Sequence, residues 1–152
     1  MSVTVNIKLE KLANVTLDLT RQMEHAADLI AQEMRGNIKR GLDVHDAPLI
    51  PNKPDYAKQK MARFGHAKPL IARERALVTP SRYAIQRKGI NHVRIKFLGV
   101  HPGAGGLTVG QIAYIHNYGL GKNPVREIAG VTAIAVKRVM AYLNDTIARY
   151  FK

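Results

Sequence analysis

The chain has 152 residues, a net charge of +13 and no cysteine. The length fits one domain with its own core, and the missing cysteine excludes a disulfide framework, a thiol nucleophile and a Cys-ligated zinc site. Most of the basic excess lies in residues 51–100, which hold twelve Lys or Arg and two acids. Such a field favours acidic partners, either nucleic acid or an acidic protein surface.

The first forty residues predict a strand followed by a long helix. Apolar and polar residues alternate in a half-buried strand that contains Val3, Val5, Ile7 and Leu9. Apolar residues then recur at three- and four-residue steps, which predicts a helix over about 18–40. Its stripe comprises Leu19, Met23, Ala26, Ile30, Met34 and Asn37/Ile38. Thr16, Asp18 or Thr20 could cap the start, and Gly41 stands where a C-terminal glycine belongs.

Residues 42–70 predict an extended arm. Four prolines interrupt this segment, and its periodicity is weak apart from a short helix expected from Pro54 to about Phe64. A long loop in a compact domain is often functional. We therefore expect residues 42–70 to project from the core and to order against a neighbouring subunit or partner.

The second half of the chain predicts a hairpin, a third strand and a final helix. Alternating residues place the hairpin strands at about 79–87 and 92–99. A glycine-rich loop precedes a strand expected at about 110–117, and the last helix is expected from about Thr132 to Tyr150. One face of that helix is predicted to carry Val136, Val139/Met140, Leu143, Ile147 and Tyr150. The order predicts one α+β domain over residues 1–152, with an antiparallel sheet of about four strands and helices at each end.

The sequence contains no enzyme motif. The loop after His101 lacks the Gly-Lys-Ser/Thr ending of a nucleotide-binding loop and the third glycine of a dinucleotide motif. The six histidines show no metal-ligand spacing, and no serine lies in a nucleophile elbow. Glu24 and Asp28 share a helix face that we interpret as solvated. We therefore predict no catalytic, cofactor or metal site and no enzymatic activity.

Membrane insertion is not expected either. The N-terminus lacks the basic start and apolar core of a signal peptide. The longest stretch without a charged residue, Leu98 to Gly121, holds seven glycines, which is not typical of a membrane-spanning helix.

A segment near the C-terminal end carries a family-like pattern. A short apolar run ends in Asn117-Tyr118-Gly119, a Pro-x-Arg segment follows, and a helix is expected just after Gly130. The matching residues are His116, Gly119, Pro124, Arg126, Ile128, Gly130 and Thr132. This pattern resembles that of the tail-completion and virion-morphogenesis proteins of tailed bacteriophages. Lys68-Pro69-Leu70-Ile71 through Leu77 resembles a second motif of that family, although Arg73-Glu74 replaces its Thr-Gly.

The resemblance implies a structural role at the phage head–tail junction, as a neck, tail-completion or tail-terminator protein. It implies a homo-oligomeric ring, most simply of six subunits, that contacts other neck, connector and tail-tube proteins. DNA would pass through this ring without sequence-specific binding. The protein would be made in the host cytoplasm and reside in the virion. The residues implied as interface or structural positions are Tyr114, His116, Tyr118, Gly119, Pro124, Arg126 and Gly130.

Two functions remain open for the basic residues. In a ring we expect them to face acidic surfaces of neighbouring subunits, including Glu24, Asp28 and Glu33 of the first helix, or of partner proteins. The alternative is a basic nucleic-acid-binding protein. The residues predicted to face a partner are Lys58, Lys60, Arg63, Arg82, Arg94 and Lys96. Arg126 is expected instead to bond carbonyls or a carboxylate near the end of the 110–117 segment or across an interface.

Overall fold

The computed structural model describes residues 2–5, 18–71, 75–101 and 105–150, with backbone only for residues 2–5. In these ranges the protein is α+β, which confirms the predicted class. The strands are β1 (Ser2–Val5), β2 (Tyr83–Gly89) and β3 (His92–Phe97). The helices are α1 (Thr20–Arg40), α2 (Pro54–Phe64), α3 (Val109–Tyr118) and α4 (Ala133–Tyr150), and a 3₁₀ turn spans Pro80–Arg82.

The sheet is antiparallel and has the order β1–β3–β2. Val3 pairs with Ile95 on one side of β3 and Ile85 pairs with it on the other, and alternate residues of β3 form an apolar face. Val93, Ile95 and Phe97 on that face are buried. The described part of the chain thus contains three strands, and the prediction of about four was wrong. The predicted continuation of the first strand to Ile7 and Leu9 lies outside the described residues.

Helix α1 packs against β2 and β3 of the sheet and against α4. Its predicted stripe is confirmed, since Leu19, Met23, Ala26, Ile30, Met34, Asn37 and Ile38 are all buried. Gly41 ends the helix in the left-handed region (φ 80°), and its N–H bonds to the carbonyls of Asn37 and Ile38. A glycine adopts this conformation without the steric cost that a Cβ imposes.

The segment predicted as a third strand at 110–117 is helix α3, and that prediction was wrong. Thr108 and Gln111 form a reciprocal capping box, which satisfies N–H groups at the helix start. Val109 and Ala113, four residues apart, are both buried, as one helical face requires. The short apolar run that was interpreted as a strand is therefore helical.

Helix α4 has the predicted bounds within one residue, but the face that it buries differs from the predicted face. Ala135, Val139 and Leu143 are buried, whereas Val136, Met140 and Tyr150 are exposed. Thr132 accepts a hydrogen bond from Ala135 N (3.0 Å) and so caps the helix start. The small Ala135 side chain faces inward, and larger apolar side chains are left on the surface.

Residues 42–52, the first part of the predicted arm, are attached to the body. Leu42 and Pro48 form an isolated β-bridge, Leu49 N donates to Gly41 O (2.8 Å), and the Leu49 side chain belongs to the core. The expected helix over 54–64 is present as α2, and most of its side chains are exposed. The segment thus combines an attached base with a largely exposed helix.

Candidate functional site

The residues of the family-like pattern gather at the C-terminal end of α3. Gly119 ends this helix with φ 64°, and its N–H and that of Leu120 bond back to the last turn. A Cβ at Gly119 would lie 2.7 Å from Val125 Cγ2 and 3.0 Å from Val125 N. Position 119 therefore requires glycine both for its backbone conformation and for the close return of the chain.

The chain returns to α3 through the Pro-x-Arg segment. Arg126 N donates to His116 O (2.8 Å). Asn117 Oδ1 accepts from both Ile128 N and Ala129 N (2.9 Å each). Pro124, half-buried, precedes this contact. Asn117 was not among the residues predicted to be structural, although an Asn two residues before a helix-ending glycine is well placed to accept backbone N–H groups.

The Arg126 side chain connects α3 to residues 42–52, the base of the arm. It is 5% exposed, and its guanidinium donates to Ile50 O (2.8 Å), Pro51 O (3.2 Å) and Asn52 Oδ1 (3.2 Å). Its Nη1 lies 3.5 Å from His116 Nδ1. The carbonyl acceptors expected for this arginine are thus present, and they belong to residues more than seventy positions earlier in the chain. We call this arrangement of His116, Asn117, Gly119 and Arg126 with residues 50–52 the α3 junction.

Gly130 marks a second close approach between the same segments. A Cβ there would lie 3.1 Å from Val44 Cγ1, and Val44 N donates to Glu127 O (2.8 Å). His45 Nε2 also lies 3.0 Å from Glu127 Oε2 on the surface. The base of the arm is therefore held at two points. Arg126 bonds residues 50–52, and residues 127–130 contact Val44 and His45.

The α3 junction is strongly cationic. Burial lowers the pKa of Arg126. Burial and the Arg126 charge lower the pKa of Lys60. Burial, followed by Arg126, Lys60 and His101, lowers the pKa of His116 to about 4. The imidazole of His116 is consequently neutral at neutral pH, and Lys60 and Arg126 carry the positive charge.

Lys60 does not lie where the sequence placed it. It was predicted to face a partner, but it is 3% exposed, and its ammonium donates to Lys68 O. Asn52 Nδ2 donates to Ala67 O (2.9 Å) nearby. The aliphatic stem of a lysine on a mostly exposed helix can reach the body of the protein and cover apolar surface, which explains why α2 is attached through this side chain.

The remaining basic residues lie on two separate surfaces. Lys58 and Arg63 are exposed on α2. Arg94 and Lys96 lie on the sheet face opposite the core, where Gln86 pairs with Arg94 and Ala84 with Lys96. Arg82, half-buried, precedes β2. Of the three acids proposed to receive such charges, Glu24 is already paired with Arg87 (2.6 Å) and Glu33 with Arg40 (2.6 Å) and Arg138 (3.3 Å).

Apolar side chains are exposed beside the α3 junction. Tyr114 and Tyr118 are 48% and 55% exposed, and their rings are 4.7 Å apart. The other large apolar residues exposed on the following loop and on α4 are Leu120, Val125, Val131, Ile134, Val136, Met140 and Tyr150. Contiguous exposed apolar groups, rather than single exposed residues, mark protein-contact surfaces, and the adjoining Tyr114 and Tyr118 rings form such a group.

Metal binding and membrane insertion find no support in the described residues. No group of three or more His, Asp or Glu within those ranges could hold a metal ion. None of the helices there is long and apolar enough to cross a membrane. Compared with protein-family models, curated proteins and solved structures, the chain matches none of them.

Proposed function

We propose that this protein is a structural subunit of the head–tail junction of a tailed bacteriophage, with a neck, tail-completion or tail-terminator role and no enzymatic activity. The observation that carries the proposal is the α3 junction. His116, Gly119 and Arg126, which belong to the sequence pattern, lie in this junction and attach the base of the arm to α3, and Gly130 of the same pattern packs against Val44 close by. Such an arrangement suits a rigid support for neighbouring contact surfaces.

The surface beside this support suits contact between subunits. Tyr114 and Tyr118 on α3, with Ile134 and Met140 on α4, expose apolar area. Tyrosine and methionine are enriched in protein interfaces. We propose a homo-oligomeric ring, of six subunits by the family resemblance, that is made in the host cytoplasm and built into the virion. Its partners would be neck, connector and tail-tube proteins, and its central hole would pass DNA without reading it.

Native mass spectrometry and negative-stain electron microscopy of the full chain test this proposal. Wild-type protein should form rings, alone or with its neck and tail-tube partners. The double variant Tyr114→Ser/Tyr118→Ser should lose assembly while keeping its circular dichroism, because both side chains are exposed. Ile90→Ser, which removes an exposed apolar side chain between β2 and β3, is the matched control. A chain that stays monomeric with every partner would contradict the proposal.

Nucleic-acid binding is the second candidate, and the outer face of the sheet favours it. Arg94 and Lys96 lie on that face with His92, and Arg94 Nε and His92 Nε2 have no hydrogen-bond partner among the described residues. A phosphate-binding surface loses affinity steeply as salt rises. Tight binding of duplex DNA at low salt that Lys96→Gln weakens, combined with a monomer under all conditions, would favour this function over the ring.

A further inference from the structure

Helix α2 is attached to the protein through a buried cation that lies beside a second one. Lys60 is the only residue of α2 that is fully buried, and the Arg126 charge is close enough to lower its pKa. Both charges also lower the pKa of His116, as does His101. Arg126 Nη1 lies 3.5 Å from His116 Nδ1, and Asn52 joins Arg126 to the Ala67 carbonyl, next to the Lys68 carbonyl that accepts from Lys60.

These cations lack an acidic partner in the described parts of the chain. Across residues 18–71, 75–101 and 105–150, every carboxylate within 4.0 Å of a cationic side chain belongs to an ion pair elsewhere. Carbonyl oxygens accept hydrogen bonds from Lys60 and Arg126, but a carbonyl is a neutral dipole. Buried charges in proteins are usually paired with an opposite charge, so this pair departs from the common pattern.

Donors for an additional acceptor are present at the same place. Lys60 has three N–H donors, of which one hydrogen bond, to Lys68 O, is seen. Arg126 Nη1 makes only a long 3.5 Å contact with His116 Nδ1. His101 Nδ1 is buried and has no hydrogen-bond partner among the described residues. An oxyanion accepts several such bonds at once and supplies the missing negative charge.

We propose that Lys60, Arg126 and His101 form a binding site for one oxyanion of the phosphate or carboxylate class, held between α2 and the α3 junction. The other side chains of α2 are half-buried or exposed, so a small displacement of this helix gives the ion access. The bound ion fixes α2 to the body by bridging Lys60 to Arg126. The site does not depend on ring assembly, and it would exist equally in a monomer.

The first experiment measures thermal unfolding of the full chain in sodium phosphate, sodium acetate and sodium chloride at matched ionic strength. We expect a saturable rise in Tm with phosphate or acetate beyond that with chloride, because a ligand that binds only the folded state stabilises it. The anion that saturates at the lower concentration identifies the class. Lys58→Met, which removes an exposed cation of the same helix, should keep this response, and Lys60→Met should lose it.

A second measurement does not depend on any variant. The His116 ring resonances in the NMR spectrum of the wild-type protein should move saturably with the same anion and stay unchanged in chloride. An equal anion response in Lys60→Met and wild type, or no saturable response in the wild type by either method, would overturn the proposal. Glu10 and Glu74 lie outside the described residues, so Glu10→Gln and Glu74→Gln are also compared. A variant of either that binds the anion when the wild type does not would show that the chain supplies its own carboxylate, and this also overturns the proposal.

Discussion

Glu33 in α1 and the two cations of the α3 junction show two different ways to bury a charged side chain. Between α1 and α4, Glu33 is 8% exposed and accepts from Arg40 Nη2 (2.6 Å) and Arg138 Nη1 (3.3 Å). At the α3 junction, Arg126 and Lys60 are at least as buried, and their acceptors in the described residues are carbonyls and one amide oxygen. At the first site the buried charge has oppositely charged partners within the chain, whereas the second site satisfies hydrogen bonds and leaves a buried positive charge.

The Glu33 site and the α3 junction both hold their segments by hydrogen bonds, but they differ in how far the buried charge is balanced. A carbonyl satisfies a donor as well as a carboxylate does, so both sites fix the segments that they join. A carboxylate also supplies the opposite charge, so it offsets more of the cost of removing a cation from water than a carbonyl dipole does. We therefore expect substitutions at the α3 junction to act through lost hydrogen bonds and excess charge. Substitutions at Glu33 should act through a lost ion pair that solvent already screens.

Arg126→Lys should have the largest effect. Lysine cannot reproduce the planar fork that reaches Ile50, Pro51 and Asn52 together, so a buried cation loses acceptors and the carbonyls lose a donor. We expect a loss of about 2–4 kcal/mol in the free energy of unfolding, measured by urea denaturation. Hydrogen exchange at residues 42–52 should rise more than exchange in α1, because the base of the arm loses its main attachment.

Arg149→Lys is the matched control for that substitution. Arg149 pairs with Asp145 (2.6 Å) on the surface, with both side chains mostly exposed. Exposed pairs contribute little to stability, so the control should unfold like the wild type. Equal and small effects of the two substitutions would show that the α3 junction does not hold the arm.

Gly119→Ala should have the next largest effect, and Gly121→Ala separates its two causes. Both glycines have positive φ, 64° and 70°, but only at Gly119 does a Cβ meet Val125, at 2.7 Å. Backbone strain at positive φ lowers the free energy of unfolding by about 1 kcal/mol, and the clash with Val125 lowers it by about 1–3 kcal/mol more. We expect thermal denaturation to show a clearly larger loss for Gly119→Ala. Equal losses would mean that the returning segment moves aside freely.

The sequence predicted those parts of the fold in which a long periodic pattern meets deep burial. The α1 stripe runs over 20 residues, so a helical period is clear, and Gly41 ends it as expected. The ten-residue α3 was misassigned because a short apolar run fits a strand or a helix almost equally. The Thr108 and Gln111 capping box was the local signal that could have decided between them.

The α3 junction was only half predictable for a physical reason. The importance of Gly119 and Arg126 could be inferred from the pattern. The acceptors of Arg126 are main-chain carbonyls at Ile50 and Pro51, and every residue carries a carbonyl, so side-chain identity gives no signal for them. The burial of Lys60 was likewise unpredictable, because a charged residue on a proline-flanked helix is normally exposed.

Acidification should weaken the α3 junction through His116. The folded-state pKa of His116 is lowered from 6.5 to about 4, so between these values the unfolded chain binds a proton that the folded chain does not. The stability that depends on a neutral His116 is therefore fully present above about pH 6.5, and it is lost as the pH decreases toward about 4. A pKa shift of this size corresponds to about 3 kcal/mol in the free energy of unfolding. Because the ring is partly exposed, solvent screening reduces the expected change to about 1–2 kcal/mol.

His116→Gln isolates this contribution. Glutamine keeps an acceptor near Arg126 but does not titrate, so the stability difference between wild type and variant should change between pH 6.5 and 4. The carboxylates with lowered pKa, Asp18 and Glu24, destabilise both proteins alike at acid pH and cancel in the comparison. A difference that is constant across this range would rule out His116 as the titrating group.

Glu33→Gln should have the smallest measurable effect and completes the comparison between the two sites. Its partners Arg40 and Arg138 are about half exposed, so each can regain water when the negative charge is removed. The amide still accepts one hydrogen bond, which limits the expected loss to about 1 kcal/mol in urea denaturation. Glu24→Gln, at the more exposed Arg87 pair, should not change stability measurably. A loss at Glu33 as large as that of Arg126→Lys would instead show that the buried carboxylate is indispensable, and that neutralisation matters more than the geometry that both sites share.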